Sequence, residues 1–366
     1  MKIFIPREQL AYPSGRGPEV ASYQLLEADE PYLVNALVAE LLQQNSPKSE
    51  VRDVALRPPS RDTRKLLILF PGGIGDVLCM KACLQALDEQ MPYPSLEEVG
   101  FASVREDDWL INDTRFKPFI HFTVTVFDYP VSLKMAEYYD SWVSYGTLER
   151  QSINRELQDT FAEILGVKPL GRPARLNPDP ALQRVLSGYI RDKSRIKVGM
   201  QIYSAAHYRS WFPVNAVLTA QELVKMGCDV YILGTPTQRL RFTKDGQPVG
   251  PPEHIYDMSG LLRSVKEFIA FASLMDAIIT VDTALLHIAG CLYKPTLALF
   301  SITHGRYRTS YYPTVEYLQG EADCAPCLNI ATLPDCGEKF CKAMVALTPD
   351  IVVPKFEQIL KEAELL

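Results

Sequence analysis

The sequence predicts two doubly wound α/β domains, each built on a parallel sheet, and three observations carry that reading. Short, continuous apolar runs such as KLLILF (65–70), AIITVDT (277–283) and KPTLALF (294–300) have the pattern of strands buried on both faces. Strand and helix patterns alternate in two separate blocks. Between the blocks lies GVKPLGRPARLNPDP (166–180), whose prolines and glycines suit a connection between lobes. At 366 residues the chain exceeds what one core usually holds, so two domains are the default.

The domain boundaries follow from these patterns. Residues 1–64 form an N-terminal appendage with an apolar start, KIFI, a helical stretch at 31–44 and a polar, proline-bearing linker. In the first domain, 65–180, KLLILF leads through a glycine loop into a helix, DVLCMKACLQALDEQ. Strands are predicted at 99–104 and 122–130, and a helix at 151–166. The second domain, 181–350, opens with a strand at 195–203 and a polar loop containing Ser204. A helix at 214–227 stops on a glycine, as a C-cap does, and a strand at 228–235 follows. Then come a helix at 264–276, a strand at 277–283, a helix at 284–293 and a strand at 294–300, with a C-terminal helix at 351–366. Parallel sheets bind ligands beyond the carboxyl ends of their strands, which places the chemistry in these loops.

Composition excludes several classes. A net charge of −6 gives no electrostatic case for nucleic acid as a partner. Apolar runs stay far below the roughly 20 residues of a membrane span, and the N-terminus MKIFIPREQLAYPSG has no export-signal pattern. The protein reads as cytoplasmic. Cys79, Cys83, Cys228 and Cys291, scattered among apolar neighbours, read as small buried hydrophobes.

Two loops concentrate the chemistry. In FPGGIGDVLCMKAC (70–83), Gly73 and Gly75 are followed by Leu78 where a dinucleotide fingerprint needs its third glycine, and no Gly-Lys-Ser/Thr follows. Asp76 would repel a pyrophosphate there. At a helix start it is favoured as an ion, and it serves either as a cap or as a catalytic base. In DTALLHIAGCLYKP (282–295), a strand ends at Asp282-Thr283 and the next helix carries His287 on its first turn. Its backbone amides form an anion site to which the Thr283 hydroxyl and His287 imidazole can add hydrogen bonds.

Over residues 65–350 the chain resembles the heptosyltransferase-type glycosyltransferases of family 9, which have the GT-B fold of two Rossmann-like domains. The resemblance rests on GGIGD (72–76), DTALLHIAGCLYKP (282–295), YRSWFP (208–213) and LERQSINRELQDTFAEILGV (148–167). It implies an inverting transfer of a sugar from a nucleotide-diphosphate donor, ADP-heptose among the candidates, to a hydroxyl of a glycan, a lipopolysaccharide core or a protein. Asp76 would be the base, with Gly73 and Gly75 beside it. Ser204, Arg209, Gly234, Gln238, Asp282, Thr283, Ala284 and His287 would hold the donor, and no metal would take part in transfer. Peripheral association with the inner membrane and a homo-oligomer also belong to this expectation. The chain departs from the family at Ala284 and Ser301, where glycine is usual. It also departs at Arg209, where lysine is usual, and at Gln238, the nearest polar residue to a position commonly acidic. The rival readings are a non-catalytic nucleotide-sugar-binding or scaffold member, and a GT-B-like sugar-nucleotide epimerase or hydrolase.

Two further features remain. THGRYRTSYYP (303–313) reads as a solvated basic loop, with substrate contact through His304, Arg306 and Arg308 as the alternative. Trp211 reads as a packing residue under its loop, with packing against the nucleobase as the alternative. Cys324, Cys327, Cys336 and Cys341 form C-x2-C-x8-C-x4-C, a set that suits structural zinc or iron, with unligated thiols or a disulfide as the alternative. Autotransporter heptosyltransferases are similar in carrying a four-cysteine iron site.

Overall fold

The computed structural model describes residues 2–6, 23–27, 59–70, 72–103, 119–123, 140–144, 155–244, 247–327 and 340–366. The chain divides into two compact units, Met1–Gln151 with Gln158–Leu170, and Ser152–Leu157 with Gly171–Leu366. The helix expected at 31–44 lies outside the described residues.

In the first unit, β1 (Lys2–Pro6) and β2 (Tyr23–Glu27) pair as an antiparallel ribbon. The elements that follow are β3 (Lys65–Phe70), α1 (Ile74–Gln90), β4 (Glu98–Ser103), β5 (Phe119–Thr123), β6 (Ser141–Ser144) and α2 (Leu157–Ile164). The sheet is parallel throughout, in the order β5-β4-β3-β6. β3 is central, which is why Leu66, Leu67, Ile68 and Phe70 are all buried. The Phe70 ring packs against Phe101 at 5.5 Å and edge-on against Phe161 of α2 at 5.2 Å.

The α2 helix is shorter than the stretch 151–166, since residues 155 and 156 precede it in non-helical form. Its end is explained by Gly166 at φ +63°. Gly166 N–H donates to Glu163 O and Val167 N–H to Ala162 O, the two bonds of a Schellman close. The second strand pairs over 98–103, as the sequence indicates. The third pairs over 119–123, with 124–130 outside the described residues.

The second unit contains α3 (Pro180–Leu186), β7 (Ile196–Gln201), α4 (Pro213–Lys225), β8 (Cys228–Ile232), β9 (Phe242–Lys244), β10 (Gln247–Val249) and β11 (Ile255–Asp257). It continues with α5 (Val265–Ser273), β12 (Ala277–Val281), α6 (Ala284–Cys291), β13 (Thr296–Phe300), α7 (Arg306–Thr309), β14 (Val315–Gln319), α8 (Lys342–Ala346) and α9 (Pro349–Glu362). Its sheet is parallel, in the order β11-β8-β7-β12-β13-β14. β7, the first strand, stands in the middle, and the winding reverses between β7 and β12. Residues of β8, β12 and β13 are buried along their whole length. Gly227, at φ +92°, follows α4 and lets the chain turn directly into β8. The antiparallel β9–β10 pair and β11, at three residues each, are too short to stand out as patterns in the sequence, and β14 (VEYLQ) lacks the continuous apolar run of the buried strands. Among the described residues no helix is long and apolar enough to cross a membrane.

Cys79, Cys83, Cys228 and Cys291 are all buried. Burial pushes the Cys228 thiol up to about 11, which makes it an inert packing group. Trp211 is fully buried and donates from Nε1 to Leu347 O at 2.8 Å, a packing role with its one polar atom satisfied.

Candidate functional site

In the first unit the glycine turn is sterically necessary. A Cβ on Gly72 would lie 2.5 Å from Asp76 Cβ and 2.6 Å from the Phe70 ring. With no Cβ there, β3 can pass straight into α1. Gly73 is the N-cap of α1, Gly75 is buried within its first turn, and Asp76 is the first acidic residue of the helix. Asp76 Oδ2 accepts from Gly73 N–H at 2.7 Å, the back-reaching half of a capping box. The carboxylate is thereby oriented at the strand's carboxyl end while remaining partly exposed.

In the second unit the candidates gather at the reversal of the winding. Thr283 is the N-cap of α6, and its Oγ1 accepts from Leu285 N–H. The same hydroxyl donates at 2.9 Å to Oε1 of Gln201, the last residue of β7. This bond ties β7 to β12 at the crevice where doubly wound sheets take ligands. The first-turn amides of α6, beginning at Ala284, lie beside it with the positive end of the helix dipole.

Charge concentrates one residue away. Asp282 Oδ2 pairs with Arg209 Nη1 at 3.2 Å, with the carboxylate almost fully buried. Burial would raise the Asp282 pKa, but Arg209, Arg308 and His287 outweigh it and hold the carboxyl below its ordinary range. His287 is buried, and its Nδ1 lies 2.8 Å from the Tyr312 hydroxyl. Burial, against the pull of Asp282 and with the push of Arg308 and Arg209, lowers the imidazole to about 4, so it is neutral at physiological pH. Two guanidiniums and one carboxylate leave this corner with a net positive charge, suited to an anion.

The loop that carries Arg209 is pinned rather than loose. Ser204 N–H donates to Ser210 Oγ at 3.0 Å, and Ser301 Oγ donates to Tyr208 O at 3.0 Å. Ser301 itself is held through its carbonyl by Gln319 Nε2. Gln238 turns inward on its own loop, accepting from Thr235 N–H through Oε1 at 3.2 Å. A Cβ on Gly234 would come within 3.2 Å of Gln238, so this turn is tightly drawn.

The 303–313 segment corrects the expectation of a solvated basic loop. It contains the short helix α7, and Arg308 is buried within electrostatic reach of Asp282 and His287. Only Arg306 of the pair of arginines is exposed, stacked on Tyr307 at 4.6 Å. A guanidinium next to a buried carboxylate is stabilised there, which offsets its loss of water. Sequence reasoning missed Gln201 and Tyr312 altogether. Their only signal was position, at a strand end and inside the aromatic-basic run 303–313.

The cysteine cluster does not assemble among the described residues. Cys324 is exposed, Cys327 Sγ donates to Cys324 O at 2.8 Å, and Cys341 is buried in the apolar core at the start of α8. Cys336 lies outside the described residues. No group of three or more His, Cys, Asp or Glu among the described residues is placed to hold a metal. Among the described residues these three thiols are not gathered as a closed tetrahedral site requires.

Residues 195–336, which include β7, the Arg209 loop, Asp282, Thr283 and His287, match the family model of glycosyltransferase family 9 (heptosyltransferase). No curated protein sequence matches the chain. Among solved structures, ADP-heptose LPS heptosyltransferase II of E. coli superposes with a TM-score of 0.57 at 13% identity, over 82% of this chain and 99% of that one. A family 9 glycosyl transferase from Veillonella parvula gives 0.57 at 14% identity, over 83% and 99%. TibC, an iron-containing dodecameric glycosyltransferase from enterotoxigenic E. coli, gives 0.58 at 16% identity, over 84% of this chain and 76% of that one. The chain has the GT-B fold of these glycosyltransferases, and the match to the family 9 model lies within its second unit.

Proposed function

We propose that this protein is an inverting glycosyltransferase that moves a sugar from a nucleotide-diphosphate donor, ADP-heptose in the first instance, to a hydroxyl of a glycan, lipopolysaccharide core or protein. The observation that carries this reading is the corner at Thr283. A capped helix start, Arg209, Arg308 and neutral His287 converge at the reversal of a doubly wound sheet, inside the family 9 match. The α6 amides take the diphosphate beside a Thr283 cap whose own proton is held by Gln201, and Arg209 stabilises charge as it develops on the leaving group.

Asp76 is the base in this reading. The acceptor O–H gives its proton to the Asp76 carboxylate as its oxygen bonds to the anomeric carbon. The anomeric C–O bond to the diphosphate breaks, and its electron pair leaves with the nucleoside diphosphate. Attack opposite the leaving group inverts the anomer. The Gly73 N–H bond supports the role by fixing one carboxylate oxygen.

That same bond favours a second reading, in which Asp76 is only a helix-capping group and the protein binds a nucleotide sugar without transferring it. Titration calorimetry with ADP-heptose, followed by a donor-plus-acceptor assay for released ADP, separates the two. Binding with acceptor-dependent ADP release is the expected result. Binding without release would leave the non-catalytic reading, and no binding of any nucleotide sugar would overturn both.

A further inference from the structure

Tyr312 is unused in the mechanism above, yet its surroundings are built around its ring. It is 3% exposed, and its Oη lies 2.8 Å from Nδ1 of His287, itself 5% exposed. The two rings meet edge to face at 5.7 Å. A Cβ on Gly290, one turn beyond His287 on α6, would fall 2.4 Å from the Tyr312 ring. Glycine at 290 is therefore what admits the tyrosine to the histidine. The backbone of Tyr312 is also fixed, with its N–H donating to Thr309 O and its carbonyl accepting from Val315 N–H. One short segment thus brings both the Arg308 guanidinium and the Tyr312 hydroxyl to the same buried corner.

We propose that Tyr312 is a positioning residue for His287: its hydroxyl donates to Nδ1, which keeps the ring proton on Nε2 and makes Nε2–H the donor that His287 offers at the start of α6. A neutral imidazole donates from one nitrogen and accepts at the other, and a tyrosine hydroxyl can take either part, so the direction of the bond at Nδ1 decides which edge can serve an anion. The protonated ring would donate from both nitrogens, but burial holds it neutral. The consequence for diphosphate recognition rests on the function proposed above. The tautomer itself does not.

The test is ¹⁵N NMR of the full-length protein labelled at histidine, free of nucleotide, with the His287 signals assigned by their loss in His287→Gln. Wild type is expected to show unprotonated Nδ1 and protonated Nε2. Tyr312→Phe is expected to move Nδ1 toward a tautomer average and to weaken ADP binding about 2- to 5-fold, as the competent tautomer becomes a smaller share. Incorporation of 3-fluorotyrosine, which makes the hydroxyl a stronger donor with little change of shape, should shift the wild-type Nδ1 resonance and covers the case of an unfolded Tyr312→Phe. Protonated Nδ1 in wild type, or an Nδ1 signal indifferent to both changes at Tyr312, would overturn the proposal. If wild type binds no ADP while the tautomer results hold, the diphosphate reading fails and the role of Tyr312 stands.

Discussion

The starts of α1 and α6 solve the same local problem with opposite chemistry. Each follows a buried central strand, β3 or β12, and each turns into a helix within a few residues. At α1 the carboxylate of Asp76 reaches back to the helix's own Gly73 N–H, so the turn presents an anion. At α6 the neutral hydroxyl of Thr283 caps the helix, and Arg209 and Arg308 stand nearby, so the turn is suited to an anion. A strand–turn–helix corner is therefore not a phosphate site by geometry alone. The side chain in its first turn decides the sign of what it can hold.

The largest way to break this comparison is Asp76→Asn. The amide oxygen can still accept from Gly73 N–H, so stability should change by less than about 1 kcal/mol. The base is lost, and the transfer rate should fall by at least about 100-fold with ADP affinity unchanged. Measuring melting and rate on the same preparation separates cap from base. Near-normal transfer would reduce Asp76 to a capping group and make the two corners differ only in structure.

Next in size is the pH response of the α6 corner. His287 is lowered from 6.5 to about 4 by burial, with Asp282 opposing and Arg308 and Arg209 assisting, and Tyr312 on its Nδ1. The unfolded chain takes up this proton at higher pH than the folded one, so stability is lost as pH falls from about 6.5 toward 4. That gap corresponds to at most about 3 kcal/mol. Asp282, whose carboxyl is held low, contributes stability above its ordinary value and loses it only as pH falls further. Denaturant melts of wild type and His287→Gln at pH 7, 5.5 and 4.5 should show a shallower decline in the variant. Parallel declines would mean that His287 is not the buried, neutral group described here.

A smaller effect is expected from Gly72→Ala. Its Cβ would collide with Asp76 Cβ and the Phe70 ring, and relieving that overlap should destabilise the first unit by about 1–3 kcal/mol. Urea melts followed by hydrogen exchange would place the loss in that unit. A neutral outcome would show that the turn has more room than its geometry indicates.

Much of this was legible in the sequence because buried parallel strands are short, continuous apolar runs. KLLILF, AIITVDT and KPTLALF occupy sheet positions where nearly every side chain is buried. Both helix starts could be read too, since Gly-Asp and Asp-Thr are local signals. The partners that complete the second corner were not local. Gln201 lies 82 residues from Thr283 and Tyr312 lies 25 from His287, and neither pair shares a helix or a strand whose period could reveal it. Arg308 was misread because a basic run is usually solvated, and only the fold supplies the buried carboxylate that draws it inward.

The smallest expected effect is at Ala284, where the chain departs from the glycine usual in the resembling family. Ala284 is the first residue of α6 and partly exposed, next to the cap whose hydroxyl is shared between Leu285 N–H and Gln201. Replacement by glycine removes one methyl group and adds backbone freedom, which should cost at most about 1 kcal/mol at a helix end. Because Thr283 and Gln201 already hold the turn, ADP affinity should stay within about threefold of wild type. A tenfold gain, or about 1.4 kcal/mol, would mean that the alanine methyl stands in the way of the diphosphate. The α6 corner would then be narrower than the anion it is proposed to receive, whereas the α1 corner is drawn tight against the anion it presents, with no room for a Cβ between Gly72 and Asp76.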